Sequence, residues 1–365
     1  MTTPANEGGK LRYGWTTGAC ATAATTAAYT ALLTGSFPDP VGIVLPKGQT
    51  PEFALTRENL AEDSASASVV KDAGDDPDVT HGAVISATVR HGEPGSGVSF
   101  VAGPGVGTVT KPGLPLDVGE PAINPVPRQM MREAVDGVAA AHGGSGDVVV
   151  EISVEGGEEI ATRTWNPRLG ILGGLSILGT TGVVVPYSCS AWIASIRRGV
   201  DVARSAGHQH VAGCTGSTSE RVVSEVHGLP EDALLDMGDF AGAVLKYLRR
   251  HPVPRLTIGG GVGKLSKLAL GHLDLHSGRS QVDLSALADM AREIGGDDDL
   301  LEQIRNSNTA LEALRHSQSA GVALGDLIAE RARVEAVAVL REAPVAVDVI
   351  VIDRAGTIVG RTAGS

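Results

Sequence analysis

The sequence predicts two domains of different class, an α+β domain over residues 1–165 and an α/β domain over residues 166–365. Three observations carry that expectation. The chain has 365 residues, beyond the size at which a single core stops growing and chains divide. Its first half reads as short strand-like runs with few helices, the pattern of an α+β sandwich. From Gly179 onward strand and helix alternate, the rhythm of a parallel sheet covered by helices.

Composition bounds what such a protein does. Hydrophobic residues make up 42% but aromatics only 3%, so the core must be built from Ala, Val, Leu and Ile, with 48 glycines supplying turns. That balance fits an enzyme with many tight loops better than a fibrous or disordered chain. The formal net charge of -12 argues against a general binder of nucleic acid or anionic membrane, and a polyanionic ligand would need a local basic cluster. Cys20, Cys189 and Cys214 lie far apart with no CxxC pair, so neither a disulfide framework nor a structural zinc site is expected. The N-terminus lacks an apolar signal core and no run reaches membrane-spanning length, which reads as a soluble, cytoplasmic protein.

In chain order, polar, glycine-rich residues 1–10 read as a loose leader. Thr16 or Thr17 then caps an alanine-rich helix over 19–33, ended by Gly35 and Pro38. Strand-like runs follow at 41–45, 53–55, 65–70 and 83–89. Between the last two, the acidic loop from Lys71 to Asp78 lacks the EF-hand spacing and reads as a solvated turn or a substrate-shaping loop. A helix over 129–141 and a strand over 148–154 complete the first half.

The stretch from Thr164 to Pro186 is the one the chain is organised around. Two glycine clusters, Gly170-x-x-Gly173-Gly174 and Gly179-Thr180-Thr181-Gly182, flank a run whose Ser176–Leu178 reads as a strand end. A helix over 191–206, which Ser188 or Ser190 can cap, follows Pro186. This makes a strand, loop and helix unit, the usual place for a site in an α/β domain, though ordinary tight turns explain the glycine spacing equally well.

Beyond it, strand 210–212 leads into Gly213–Gly216 and helix 218–227. Strand 233–237 leads into Gly238-Asp239 and a helix to Arg250, and strand 255–258 into the turn Gly259–Gly263. Helices are expected at 284–294, 300–304, 309–316 and 324–340, then a strand over 345–352 that could return to either domain.

Several motif readings fail on the residues themselves. A phosphate-binding P-loop at Gly259–Lys264 would need glycine at Ile258 and Ser or Thr at Leu265, which disfavours ATP or GTP hydrolysis. The dinucleotide pattern fails at Ser266. A binding loop of another kind, with Lys264 and Lys267 as its cations, survives. Neither His272 with His276 nor His208 with His210 makes a convincing metal set, and no protein-bound metal is expected. No nucleophile elbow surrounds Ser176.

Longer blocks say more. LRYGWTTGACATAA at 11–24, PKGQTPEF at 46–53, VVKDAGDDPDVTHGA at 69–83, GPGVGTVTKPGL at 103–114 and GEPAINPVPR at 119–128 are followed in order by three more. These are NPRLGILGGLSILGTTGVVVP at 166–186, MGDF at 237–240 and GGGVGKLSKLALG at 259–271. Together they resemble the CbiD family of cobalt-precorrin-5B C(1)-methyltransferases over nearly the whole chain. One departure is Gly213-Cys214-Thr215-Gly216, where a Gly-Asn-Thr-Gly-like turn is expected of the family.

The resemblance implies an α+β domain followed by a Rossmann-like α/β domain. It implies methyl transfer from S-adenosylmethionine to carbon 1 of cobalt-precorrin-5B, giving cobalt-precorrin-6A, in anaerobic-type cobalamin biosynthesis. A non-catalytic carrier of a corrinoid intermediate is the alternative, and self-association is left open. Such chemistry needs alignment and charge placement more than a catalytic signature, with at most one acid or base, for which His276 and Asp75 are the candidates. On this reading Gly179, Thr180, Thr181, Gly182, Gly216, Gly259, Gly261 and Gly263 hold the methyl donor, with Glu220 and Asp239 accepting its ribose hydroxyls. The three turns are expected to gather at the carboxyl edge of one sheet. Thr16, Thr17, Lys47, Arg128, Arg168, Lys264 and Lys267 are the expected contacts to the carboxylate-rich tetrapyrrole, Arg168 foremost.

Overall fold

A computed structural model describes residues 11–363, and the expected leader at residues 1–10 lies outside them. The chain divides into two compact units, Met1–Cys189 and Ser190–Ser365, each of mixed α/β content.

The first unit opens with β1 (Gly14–Trp15), α1 (Thr17–Thr34), β2 (Val41–Gly42), β3 (Glu52–Phe53), β4 (Arg57–Leu60), β5 (Ser64–Val70) and β6 (Val84–His91). It continues with β7 (Val98–Ala102), β8 (Gly105–Val106), β9 (Thr108–Val109), α2 (Pro125–His142) and β10 (Val148–Val154). Last come α3 (Gly157–Ala161), β11 (Ile171–Leu172), β12 (Gly174–Leu175) and β13 (Val183–Val184). One sheet has the order β4-β5-β6-β10-β7, antiparallel except for the β10–β7 pair. The inward positions of β10, Val148, Val150, Ile152 and Val154, join one core with Ala65 and Ala67 of β5, the alanines of α1 and Met130, Met131 and Val135 of α2.

α1 is buried almost all round, which its small side chains permit and its threonines would forbid if left unpaired. Each solves the problem locally: the hydroxyls of Thr22, Thr25, Thr26 and Thr30 donate to the carbonyl four residues back, all at 2.8 Å. Gly35, at φ 77°, ends the helix in the left-handed conformation. α2 begins at Pro125 rather than residue 129, because prolines fit the first turn, where no backbone donor is needed. β4 escaped the sequence reading because all four of its residues are exposed and no burial pattern marks it.

The acidic loop is a clamp rather than a solvated turn. Asp72 pairs with Arg12, Asp75 accepts from the Arg12 amide at 2.6 Å, and Asp76 accepts from the Tyr187 amide at 2.8 Å. Asp78 accepts from the ammonium of Lys71, which is 1% exposed, at 2.6 Å. Burial pushes the Asp78 carboxyl up, but the charge and hydrogen bond of Lys71, with the hydroxyl and amide of Thr80, outweigh it and hold it below the usual range.

The central stretch also departs from expectation. Ser176–Leu178 is not a strand end; Ile177 makes only a single bridge, to Ile123. β11 pairs with β9, β12 with β8 and β13 with β1, so the segment after residue 165 is stitched into the first unit and the compact division falls after Cys189.

The second unit opens with α4 (Cys189–Ser205), which starts at the boundary, then β14 (His210–Cys214), α5 (Ser217–His227), β15 (Leu234–Asp236) and α6 (Ala241–Leu248). It continues with β16 (Arg255–Gly261), α7 (Val262–Ala269), α8 (Leu284–Glu293), α9 (Asp298–Arg305), α10 (Ala310–Ser319), α11 (Leu324–Leu340), β17 (Ala346–Ile352) and β18 (Ile358–Arg361). The sheet order is β15-β14-β16-β17-β18, parallel for the first four and antiparallel at β18. β17 therefore belongs to this sheet. α5 covers one face through Val222 and Val223, and the larger core with α6, α7 and α11 fills the other.

β16 runs on through Gly259–Gly261, where a turn was expected, and α7 starts at the next residue. Gly259 and Gly260 are there for space. A Cβ on Gly259 would stand 2.6 Å from Val223 Cγ2, and one on Gly260 2.8 Å from Thr215. At the amino end of the sheet lies a polar network. Arg255 Nε donates to Asp348 Oδ1 at 2.9 Å, Thr257 donates to Asp348 Oδ2 at 2.7 Å, and His210 Nε2 meets the Thr257 hydroxyl at 2.7 Å. Among the described residues no helix is long and apolar enough to cross a membrane.

Candidate functional site

A cavity of about 990 Å³ opens at the carboxyl ends of β14, β16 and β17. Its position follows from topology. The chain leaves β14 towards β15 on one side and returns to β16 on the other, so the loops after β14 and β16 part and leave a crevice. Thr215–Ser219 line it from β14, Asp239 from β15, Gly261–Lys264 and Lys267 from β16, and Asp353 and Arg354 from β17. Leu275, Val282, Leu284 and Leu311 add an apolar wall, and Asn308 and Thr309 a polar one.

Two helices begin at this cavity without a side-chain cap. α5 starts after Gly216 and α7 after Gly261, and neither glycine can supply the oxygen that would occupy the first-turn amides. Lys264 Nζ donates to the Thr215 carbonyl at 3.0 Å and pairs with Asp239 Oδ1 at 3.1 Å, tying together the three loops after β14, β15 and β16. Lys267 is 5% exposed, and its ammonium donates to the Leu275 carbonyl at 2.6 Å. Burial pulls Lys267 below the usual lysine range, against the opposing charge of Asp239.

The structure brings together Gly216, Asp239, Gly261, Gly263, Lys264, Lys267 and His276 among the residues expected from sequence. His276 is exposed, and its Nδ1 accepts from the Gly278 amide at 3.1 Å, leaving Nε2 as the remaining ring nitrogen. Gly259 sits inside β16 and Glu220 is buried on α5, and neither lines the cavity. Cys214, the departure from the family pattern, is the buried last residue of β14, so the change falls beside the cavity and not on its wall.

The remaining expected residues lie in the first unit, and several are spent on the fold. Thr16 Oγ1 accepts from the Ala19 amide at 3.2 Å as the cap of α1. Thr17 Oγ1 accepts from the Leu178 amide at 2.8 Å, and the Gly18 amide donates to the Leu178 carbonyl at 3.0 Å. Gly179, at φ 127°, packs its Cα against Thr16, and Gly182, at φ 78°, against Leu45. The turn Gly179–Gly182 is thus a packed turn beside β13, outside the sheet that bears the cavity, with Thr180 exposed and Thr181 Oγ1 bonded to Val183. Arg128 donates to the carbonyls of Ile123 and Pro121 at 2.7 and 3.0 Å and pairs with Glu120 at 2.7 Å, so it is a structural cation. Asp75 is exposed and holds the Arg12 amide through Oδ2, and it is not part of the cavity wall. Arg168 lies 5.8 Å over the Trp165 ring, and Lys47 is exposed.

Sequence reasoning passed over Thr215, Ser217, Thr218, Asn308, Thr309 and Arg354 as wall residues. The hydroxyl run behind Gly216 was a usable signal. Asn308 and Arg354 come from distant loops and carry none. Among the described residues no group of three His, Cys, Asp or Glu side chains is placed to hold a metal ion.

The fold is mixed α/β with a cavity at the carboxyl edge of its second sheet, and comparison with known proteins gives the particular family. Residues 4–186 match the CbiD family model and residues 274–363 that of the CbiD C-terminal domain. A Paramagnetospirillum magneticum protein named cobalt-precorrin-5B C(1)-methyltransferase is 63% identical over 96% of this chain and 98% of its own. A Brucella anthropi protein of the same name is 60% identical over 99% and 98%. The crystal structure of the cobalamin biosynthesis protein CbiD from Archaeoglobus fulgidus is 28% identical, covering 75% of this chain and 84% of that one, with a TM-score of 0.41. The chain belongs to the CbiD family.

Proposed function

We propose that this protein is a cobalt-precorrin-5B C(1)-methyltransferase, taking its methyl group from S-adenosylmethionine and acting in cobalamin biosynthesis. The observation that carries the reading is end-to-end likeness to enzymes of that name. The second unit is read as the Rossmann-like domain, supported by its strand order and by helices on both faces of the sheet.

The cavity fits the methyl donor by the chemistry of its walls. Its volume is at the upper end of the roughly 300–1,000 Å³ typical of small-molecule sites. Val282, Leu284 and Leu311 offer apolar surface to a purine, and Asp239 can accept from ribose hydroxyls while Lys264 holds it in place. When bound, the donor supplies a sulfonium methyl that passes to a macrocycle carbon as its sulfur becomes a neutral thioether. The protein's part is to orient that methyl and exclude water.

For the carboxylates of the tetrapyrrole, Lys47 and Arg168 are the first-unit cations we keep as candidates, Arg168 foremost. Replacing Arg168 by Ala is expected to raise the tetrapyrrole KM or lower turnover by about tenfold, equivalent to about 1.4 kcal/mol. Affinity for S-adenosylmethionine should not change, and an equal loss for both ligands would remove Arg168 from the substrate side.

Incubation with enzymatically made cobalt-precorrin-5B and methyl-labelled S-adenosylmethionine tests the activity. Label in the macrocycle is the expected result. Binding of the tetrapyrrole without label transfer by folded protein would make the chain a carrier instead.

A further inference from the structure

We infer that Lys267 and the open amino ends of α5 and α7 form a carboxylate subsite that takes the amino-acid carboxylate of the methyl donor. This rests on the reading of the cavity as the donor site and decides which ligand the buried lysine serves. Sequence alone placed Lys264 and Lys267 on the tetrapyrrole side, but the structure separates the two.

Lys264 already holds two partners, the Thr215 carbonyl and Asp239, and is 35% exposed on its side chain. Lys267 is different. It lies on the cavity wall with 5% of its surface exposed, and the hydrogen bond to the Leu275 carbonyl uses one of its three ammonium donors. The charges of Asp239 and Asp274 only partly offset the burial of this ammonium, and its two remaining donors can meet an anion brought into the cavity.

Charge on the wall points the same way. Asp239 balances one of Lys264 and Lys267, and Asp353 stands beside Arg354 in sequence, leaving one positive charge in excess. The amino ends of α5 and α7, neither of them capped by a side chain, add partial positive charge. S-adenosylmethionine presents one carboxylate beside an ammonium and a sulfonium, so the cations of this wall suit its carboxylate end and not the ligand as a whole. A macrocycle with many peripheral carboxylates would need a spread of exposed cations. S-adenosylhomocysteine keeps the same carboxylate, so the subsite also predicts retention of the product.

Calorimetry on the full-length protein tests this with four ligands: S-adenosylmethionine, S-adenosylhomocysteine, decarboxylated S-adenosylmethionine and 5′-methylthioadenosine. The wild type is expected to bind the two carboxylate-bearing ligands at least about tenfold more tightly than the two that lack it, the worth of one charge-assisted hydrogen bond. Lys267→Met should erase most of that preference and leave 5′-methylthioadenosine affinity unchanged. Equal binding of S-adenosylmethionine and its decarboxylated form by the wild type would overturn the subsite while leaving the donor cavity standing. So would an equal loss for all four ligands in Lys267→Met, which marks a structural role. Should that variant not fold, the wild-type series decides by itself. If folded wild type binds none of the four, the donor reading and the subsite fall together.

Discussion

The chain contains two kinds of helix start that look alike in sequence. α1 begins behind Thr16-Thr17-Gly18, and α5 and α7 begin behind Gly216 and Gly261. At α1 the first-turn amides of Gly18 and Ala19 are occupied by the Leu178 carbonyl and the Thr16 hydroxyl, and the Gly179–Gly182 turn is packed down on them. At α5 and α7 no side chain occupies them, and the space in front is a cavity. The difference teaches that turn composition does not reveal whether backbone donors are available. A partner remote in sequence decides it.

Substitutions in the first unit should therefore register as stability, and those around the cavity as ligand affinity. The largest expected effect is at Asp78. Removing its carboxylate strands the ammonium of Lys71 in the core, and Asp78→Ala should lower unfolding free energy by about 3–5 kcal/mol in denaturant titration. Little change would mean that Lys71 finds water or another acceptor. Gly179→Val comes next, at about 2–4 kcal/mol, because a Cβ would enter Thr16 and valine resists a φ of 127°. A stable Gly179→Val protein that had lost donor affinity alone would break the comparison.

An effect of intermediate size concerns the amino end of the second sheet, where polar groups are again consumed internally. Burial, helped by the charges of Arg255 and His227 and opposed by Asp348, lowers His210 to about 4. Its unfolded value is about 6.5, so the unfolded chain takes up the proton first. The stability contributed by the neutral ring is complete above that value and is lost as pH falls from about 6.5 towards about 4. Thermal melts at pH 7, 6 and 5 should show a falling Tm, and a flat profile would exclude it. Burial also lowers the adjacent His227, which contributes in the same direction as pH falls below about 6.5, while the lowered carboxyls of Asp72 and Asp78 act only below their unfolded value near 3.8.

The smallest expected change in stability is at Gly261. It has φ -72° and open space where a Cβ would stand, so Gly261→Ala should cost no more than a few tenths of a kcal/mol in unfolding. The methyl group would sit at the mouth of α7, and donor affinity should fall measurably while Tm stays put. A large Tm loss would show that Gly261 is packed like Gly179.

What could be read in advance follows the range of the interactions. The capped alanine helix, β10 and the strand–helix alternation of the second unit rest on patterns within one segment, and they were legible. So was the cavity's framework at Gly216, Asp239 and Gly261–Lys267. The fate of Thr17 was not, because its partner Leu178 is 161 residues away. Arg128 has the composition of a ligand cation and bonds instead to carbonyls a turn before its own helix. The glycines of β16 were taken for a turn because their reason, the side chains of Val223 and Thr215, lies on neighbouring elements.

The most direct test of the two-start account is hydrogen–deuterium exchange on the full-length protein with and without S-adenosylmethionine. Binding should slow exchange of the amides in residues 215–220 and 261–268 and leave residues 16–20 and 178–183 as they were. Protection confined to residues 178–183, with no change at 215–220 and 261–268, would contradict it.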